Sequence, residues 1–302
     1  MFSHLLVPLD GSHLAESVLP AAEAIARQFG ASVTLLHVIE PRPPARVHGE
    51  RHLSTVPEAE AYLAEVVAHA FAGLPVRTHI HGPADADVAA SIARHTNELR
   101  IELIVLCTHG RGRTRDLLYG SVAQQVLGQG QVPVLLVRAD GAAPAFLCER
   151  ILVPLDGSPA SEAALPAAQA VARAFVGRLH LVTVVPTAAT VSADRALAAR
   201  LLPGATAASL ELEEDAMRTY LTGVAERLRG AGVVADAEVA RGDPASGVLD
   251  AIDRSGADFV VMATHGRSGL SAAWAGSVAS RISARCRKPI LLVRAPGLPE
   301  IP

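Results

Sequence analysis

A short repeated segment constrains the architecture of this chain more than any other feature. The segment is Leu-Val-Pro-Leu-Asp-Gly-Ser, at residues 6–12 and again at residues 152–158. A His-Gly pair, a Gly-Ser pair and the run Leu-Leu-Val-Arg-Ala also recur in one order, each at an offset of 156 residues. Ordered repeats of this kind do not arise by chance, so the chain is a tandem duplication. We expect domain 1 at residues 1–140 and domain 2 at residues 150–297, joined by a linker around residues 140–150.

Hydrophobic periodicity alternates between strand and helix within each half. In the first half it predicts five strands and four helices, with strands at 5–10, 32–39, 76–81, 103–107 and 133–138 and helices at 15–29, 58–72, 84–97 and 121–127. Residues 41–57 are predicted to be a loop. Strands that alternate with helices are joined by right-handed crossovers, which place helices on both faces of a parallel sheet. Each half is therefore predicted to be an α/β, Rossmann-like, doubly wound domain with a five-stranded parallel sheet of order 3-2-1-4-5.

The predicted strand order defines one crevice in each half. Doubly wound sheets bind ligands beyond the carboxyl ends of the strands, where the strand order reverses. Here the reversal lies between strands 1 and 4. Strand 1 ends at Asp10 and strand 4 runs into the loop that begins at Gly110. Two independent sequence features therefore converge on one predicted site.

A glycine loop follows strand 4 in each half and ends where a helix begins. It runs from Gly110 to Gly120-Ser121 in the first half and from Gly266 to Gly276-Ser277 in the second. The first amides of a helix lack internal partners and the helix dipole adds positive charge there, while glycine lets the backbone approach a ligand closely. The sequence predicts a cradle for nucleotide phosphates. A plain strand-to-helix loop with a serine cap is the structural alternative.

Asp10 and Asp156 end the first strand of each half, immediately before Gly-Ser. A carboxylate at this position can accept hydrogen bonds from ribose hydroxyls or a base amine. It can equally form an Asx turn and cap the next helix. The sequence alone leaves both roles open.

Further arginine, histidine and cysteine residues lie in or near the loops. Arginine suits phosphate, so we expect one arginine of the loops to touch the ligand; the candidates are Arg111, Arg113, Arg115 and Arg267. Histidines near the site are expected to be structural, because none pairs at metal-ligand spacing with another histidine or a carboxylate; these are His37, His109 and His265. Cys107 is expected to be a small buried residue at the end of strand 4.

Composition narrows the classes of function. The net charge is −3 at pH 7 with no basic run, so we expect neither nucleic acid nor a membrane as partner. Three widely spaced cysteines suggest no disulfide framework or zinc site, and the N-terminus lacks a signal-like segment, so the chain is predicted to be cytoplasmic. Walker, kinase and nucleophile-elbow motifs are missing. The site is therefore predicted to bind its ligand rather than to catalyse a reaction.

The second half is ten residues longer than the first, and the extra residues lie mainly after its second strand. Residues 188–212 are predicted to be a loop with some helix near the mouth of the second site. This segment is interpreted either as a lid or as an insertion tolerated because long loops add little closure entropy.

The repeated motifs resemble those of the universal stress protein family over nearly the full length of both halves. The resemblance rests on Val-Pro-x-Asp-Gly-Ser, Leu-His-Val, His-Gly-x9-Gly-Ser-Val and Pro-Val-Leu-Leu-Val. The family's nucleotide motif, G-x-x-G-x9-G-[ST], is matched except at its first glycine, where Cys107 and Ala263 stand. The chain thus looks like a tandem two-domain member.

The resemblance implies an adenine-nucleotide site in each half. Bound ATP, AMP or ADP, with Mg²⁺, is implied to contact the following residues: Pro8, Leu9, Asp10, Val38, Cys107, Gly110, Arg111, Gly120, Ser121 and Val122 in the first site, and Pro154, Leu155, Asp156, Val184, Ala263, Gly266, Arg267, Gly276, Ser277 and Val278 in the second. Family members usually pair through their last strand, so the two halves are expected to pair through residues 134–138 and 290–294, and the chain could also form a homodimer.

The sequence is compatible with three functions. The first is a non-catalytic adenine-nucleotide-binding stress protein that reports energy state to an unknown protein partner. The second is a nucleotide-free interaction module, which Cys107 and Ala263 favour because they replace a motif glycine. The third is a slow ATPase or phosphotransferase, which the missing base and Walker lysine disfavour.

Overall fold

A computed structural model describes residues 1–41, 45–82, 87–109, 121–129, 132–139, 146–265 and 278–295. The chain divides into two compact units. The first is built mainly from residues 1–146 and the second mainly from the residues that follow.

The first unit is an α/β unit with a parallel sheet. Its elements in chain order are β1 (His4–Pro8), α1 (His13–Glu16), α2 (Leu19–Phe29), β2 (Ser32–Val38), β3 (Arg46–Val47), β4 (Glu50–Arg51), α3 (Val56–Ala70), β5 (Val76–His81), α4 (Val88–Glu98), β6 (Leu103–His109), α5 (Ser121–Gln129) and β7 (Val134–Ala139). The strand order is β5-β2-β1-β6-β7, with parallel neighbours throughout. In chain order of the five strands this is 3-2-1-4-5, so the predicted topology is confirmed.

The second unit repeats this plan. Its elements are β8 (Arg150–Pro154), α6 (Pro159–Glu162), α7 (Leu165–Ala174), β9 (Arg178–Val185), α8 (Ala193–Leu201), α9 (Pro203–Gly230), β10 (Ala235–Arg241), α10 (Pro244–Ser255), β11 (Phe259–His265), α11 (Val278–Arg285) and β12 (Ile290–Ala295). The strand order β10-β9-β8-β11-β12 is again 3-2-1-4-5, and β8 lies parallel to both β9 and β11.

The core of each unit is mainly aliphatic, and only 3% of the residues of the chain are aromatic. The central strand β1 buries three consecutive apolar side chains, Leu5, Leu6 and Val7, so both of its faces are covered. Helix α2 covers the sheet with a stripe that includes Ile25 and Ala26. Fully burying each large aliphatic side chain contributes about 1.5–3 kcal/mol, which makes these strands the main source of stability.

The predicted helix at residues 15–29 is two helices. Ser12 caps the short α1, which ends before Ser17, and α2 begins at Leu19. The physical reason is Pro20 in the first turn of α2: proline has no backbone N–H and fits only a first turn. Gly30 ends α2 in the left-handed conformation, with φ of 61°, as its position predicts.

Two predicted loops contain regular structure. The loop at 41–57 includes the hairpin β3–β4 and the capping box of Thr55 and Glu58, which starts α3. Residues 188–212 are mostly helical rather than mostly loop, because α8 and the first turns of the long α9 occupy them. Within the described residues, no helix is both long and apolar enough to span a membrane.

A valine in a left-handed conformation provides a stability test. Val176 has φ of 54°, which strains its branched side chain, and it is 94% exposed, so no burial of that side chain offsets the strain. Asparagine tolerates this conformation, and we expect Val176→Asn to raise the free energy of unfolding by about 1 kcal/mol. Urea denaturation measures the change. Val234→Asn is the control, because Val234 is also exposed but has no positive φ; equal effects of the two substitutions would contradict the assignment of strain.

Candidate functional site

The first and fourth strands of each sheet meet at their carboxyl ends, where the strand order reverses. These strands are β1 and β6 in the first unit and β8 and β11 in the second. In the first unit β1 pairs with β6, and α1 packs against β6. The hydroxyl of Ser17, at the end of α1, lies 3.3 Å from the Cys107 sulfur on β6. In the second unit β8 pairs with β11, and α6 packs against β11. The turn after strand 1 therefore borders the strand that leads into the glycine loop.

The carboxylate of Asp10 organises the turn after β1. Its Oδ1 accepts hydrogen bonds from the backbone N–H of Ser12 at 2.9 Å and from the Ser12 hydroxyl at 2.6 Å. Ser12 Oγ in turn accepts from the Ala15 backbone N–H at 3.2 Å, which caps α1. Gly11 has φ of 87°, a conformation that favours glycine. Asp10 therefore forms the Asx turn that the sequence left open as one of its two roles. The helix cap is supplied by Ser12 rather than by the Asp10 carboxylate.

The same geometry recurs around Asp156. Its Oδ1 accepts from the backbone N–H of Ser158 at 2.9 Å and from the Ser158 hydroxyl at 2.6 Å, and Ser158 Oγ accepts from the Ser161 N–H at 3.1 Å. Gly157 has φ of 80°. This turn engages Oδ1 in both units, so the Asx-turn role and the nucleotide role predicted for these carboxylates are compatible.

Different elements cover the two aspartate turns. In the first unit the β3–β4 hairpin places His48 Nε2 at 3.4 Å from Asp10 Oδ2. In the second unit α9 lies over the turn, and a Cβ added to Gly157 would be 3.3 Å from the end of the Met217 side chain. The Tyr220 hydroxyl, also on α9, donates to Glu162 Oε1 at 2.8 Å. The sequence contains no signal for His48, which lies in a segment predicted as a loop. The two candidate sites therefore differ in the residues that cover the aspartate turn.

In each unit a buried polar side chain on the second strand, β2 or β9, donates a hydrogen bond to the backbone carbonyl just before the aspartate. In the first unit His37 Nδ1 donates to the Leu9 carbonyl at 2.8 Å. In the second, the Thr183 hydroxyl donates to the Leu155 carbonyl at 2.6 Å. His37 is fully buried, and this burial holds its pKa below 6.5 against the opposing effect of the Leu9 carbonyl. The geometry agrees with the structural role predicted for His37.

The pKa of His37 predicts a pH-dependent stability of the first unit. As pH falls below about 6.5, unfolded His37 takes up a proton that the folded state resists, so the free energy of unfolding falls. His37→Thr, which copies the second unit, is expected to reduce this slope by up to about 1.4 kcal/mol per pH unit. Urea denaturation at a series of pH values below neutrality measures the slope. Parallel stability curves for the two proteins would contradict the expectation, whatever their vertical offset.

The remaining predicted site residues are distributed along the same edge. Pro8 and Pro154 end β1 and β8, and Val38 and Val184 lie at or near the ends of β2 and β9. Cys107, Val122 and Ala263 are partly buried and Val278 is exposed, so the prediction that Cys107 is a buried residue is wrong. The described residues do not include the loops, so the predictions for Gly110, Arg111, Arg113, Arg115, Gly120, Gly266, Arg267, Gly276 and Ser277 lie outside them, as do the side chains of His109, Ser121 and His265.

Comparison with known proteins assigns the chain to a family. The sequence model of the universal stress protein family matches residues 1–138 and again residues 148–294. A universal stress protein of Mycolicibacterium smegmatis is 28% identical over 306 residues, which cover 96% of each chain. A universal stress protein of Thermus aquaticus is 33% identical over 144 residues, covering 46% of this chain and all of the relative. The chain is therefore a tandem member of the universal stress protein family, a family of stress-response proteins.

A solved structure shares the same fold over nearly the whole chain. The crystal structure of a universal stress protein from Archaeoglobus fulgidus superimposes with a TM-score of 0.66 and covers 97% of this chain and 96% of its own. Its sequence is 17% identical. The likeness at this identity concerns the architecture and agrees with the tandem α/β fold described above.

Proposed function

We propose that each unit binds an adenine nucleotide and that the protein is a non-catalytic sensor or regulator in the stress response. The supporting observation is the Asp-Gly-Ser turn, held against strand 4 at the point where the strand order reverses. Asp10 and Asp156 occupy this place with the same hydrogen bonds in both units. Ligands of doubly wound sheets bind at this point.

In the proposed complex, the two ends of the nucleotide contact different segments. Asp10 and the backbone around Leu9 and Val38 contact the adenosine, and the loop from Gly110 to Ser121 surrounds the phosphates of ATP, AMP or ADP together with Mg²⁺. The corresponding segments of the second unit form its site. Backbone amides at a helix start and glycines that admit a close approach suit this task. These contacts bind a nucleotide but supply no Walker lysine, which supports binding without turnover.

The proposal extends to the organisation of the chain. We take residues 1–140 and 150–297 as the two domains and propose that they pair through their last strands, since each sheet order ends at such a strand and an apolar edge strand invites pairing. All three cysteines lie in described segments and none forms a disulfide, which is expected in a reducing compartment. We therefore propose that the protein acts in the cytoplasm, where nucleotide occupancy is reported to a protein partner.

Mass spectrometry of small molecules released from the purified, denatured protein tests the proposal. We expect an adenine nucleotide in a molar ratio of up to two per chain. Incubation of the intact protein with ATP and Mg²⁺ should release no ADP above a mock purification. Steady ADP release that Gly120→Val abolishes would instead identify a slow ATPase.

The second candidate function is a nucleotide-free interaction module. The contact between Ser17 and Cys107 favours it, because a sulfur stands where the motif has glycine. In the second unit Ala263 takes this position and Ala163 replaces the serine. Protein that is purified without nucleotide and fails to take up added ATP would support this candidate over the first.

A further inference from the structure

Three histidines of the first unit converge at the edge strand of its sheet. His79 and His81 lie two residues apart on β5, so their side chains share one face of the strand. His95 lies on α4, and its ring centre is 4.5 Å from that of His79 and 5.1 Å from that of His81. Each residue offers one nitrogen, and the three nitrogens lie within 4.8 Å of one another. The cluster is distinct from the aspartate turn and from the glycine loop.

We propose that His79, His81 and His95 form a binding site for one divalent transition metal ion of the Zn²⁺ type. Three imidazoles are a ligand set that Zn²⁺ and its neighbours Co²⁺, Ni²⁺ and Cu²⁺ accept, whereas Mg²⁺ and Ca²⁺ require oxygen. With three protein ligands, a tetrahedral ion keeps its fourth position for water or another ligand. This inference does not depend on nucleotide binding.

The orientation of His95 suits a metal ligand. Its Nδ1 donates to the Ser91 carbonyl at 2.8 Å, which fixes the ring and leaves Nε2 as the basic nitrogen directed at the cluster. A carbonyl on the far nitrogen is the usual outer-shell partner of a metal-bound histidine. His95 is 3% exposed, so its ring is already ordered before any ion arrives.

The spacing of the His79 and His95 nitrogens requires only a small adjustment. His95 Nε2 lies 2.7 Å from His79 Nε2, a separation that suits one shared proton. Two nitrogens at about 2.0–2.1 Å from one tetrahedral Zn²⁺ are about 3.3 Å apart. The ion would take the place of the shared proton, which moves to the other nitrogen of His79. Burial and the two neighbouring imidazoles lower the pKa of His79, which favours the neutral ring that a metal needs.

The second unit provides an internal comparison. Its edge strand β10 and helix α10 contain no histidine. In their place Arg254 of α10 forms an ion pair with Glu238 of β10. The proposed metal site therefore belongs to the first unit alone and is not part of the repeated motif.

Arg94 is the group that opposes metal binding. Its guanidinium lies 3.1 Å from His81 Nε2 and 3.8 Å from Glu98. A cation at this distance repels the ion, so the arginine must turn outward, and its side chain is 43% exposed and able to do so. We expect Arg94→Gln to tighten metal binding severalfold, a gain that a purely structural histidine cluster would not show.

Titration of the full chain with Co²⁺, free of nucleotide and chelating buffer, tests the site. We expect one ion per chain with the visible d–d bands of a four-coordinate centre, and Zn²⁺ should displace it. His79→Gln with His81→Gln should weaken binding by more than the roughly 10–100-fold that loss of an outer-shell partner costs. Both side chains are only half-buried, so this variant is expected to fold, as circular dichroism would show.

Two controls make the titration decisive. His69→Gln removes an exposed histidine on α3 outside the cluster and should leave the stoichiometry and spectrum unchanged. Mg²⁺ should not compete with Co²⁺. The absence of a saturable Co²⁺ or Zn²⁺ site in the wild type, or equal affinity in the folded double variant, would overturn the proposal.

Discussion

Gly177→Ala is expected to lower the free energy of unfolding of the second unit by about 3 kcal/mol or more. Gly177 immediately precedes β9, and a Cβ at this position would lie 2.1 Å from the Cys148 carbonyl oxygen and 3.3 Å from that of Glu149. Both oxygens belong to the backbone that leads into β8. Arg178 N–H donates to the Glu149 carbonyl at 2.9 Å, so the two segments cannot separate without losing this pairing.

A matched glycine supplies the control for this substitution. Gly223 lies inside α9, and nothing comes within 4 Å of a Cβ placed on it. Gly223→Ala is expected to stabilise the unit by about 0.5–1 kcal/mol, because alanine is the better helix former. Urea denaturation followed by far-UV circular dichroism measures both changes. An unaltered midpoint for Gly177→Ala would show that the two backbone segments are not packed as described.

Gly120→Val and Gly276→Val are each expected to remove one of two nucleotide sites. We expect the affinity of the altered site to fall at least about 100-fold, equivalent to about 2.7 kcal/mol, because a branched side chain occupies the place where phosphate approaches the backbone. Isothermal titration with ATP and Mg²⁺ should show the stoichiometry fall from two to one in either variant and to zero in the double variant. Both glycines lie outside the described residues, so the expectation rests on the repeated loop sequence and the strand ends that precede it.

Gly128→Val separates a local effect at the phosphates from general damage. Gly128 lies on α5, the helix that begins at Ser121, and a Cβ placed there meets nothing within 4 Å. This substitution has the same volume change and should leave both sites intact. Retention of two sites in Gly120→Val or Gly276→Val would contradict the assignment of the phosphate cradle. Loss of a site in Gly128→Val would show that such losses are not specific to substitutions in the cradle.

The sequence predicted the architecture well because the buried parallel strands carry an unambiguous pattern. Short apolar runs such as Leu5–Val7 cannot lie at a surface, and their alternation with helices leaves few topologies. The order 3-2-1-4-5 follows in both units. The local polar pattern was ambiguous, because Asp-Gly-Ser is compatible both with the hydrogen bonds that Ser12 donates to Asp10 and with a ligand contact.

The sequence could not reveal contacts between elements that are distant in the chain. His48 reaches Asp10 only because the β3–β4 hairpin folds back, and a two-residue strand has no detectable periodicity. The histidine cluster cannot be recognised in the sequence for a similar reason. His79 and His81 show a strand spacing, but the third member, His95, comes from a helix whose position on the sheet depends on tertiary packing.

Equilibrium dialysis of the intact wild-type chain against ATP and Mg²⁺ tests the central claim most directly. We propose that the aspartate turn and the glycine loop form an adenine-nucleotide site in each unit, at the point where the strand order reverses. We expect saturable binding that approaches two nucleotides per chain, with GTP competing poorly because the backbone around Val38 and Val184 reads the adenine edge. No bound ATP at millimolar concentration, in protein shown to be folded and nucleotide-free, would contradict it.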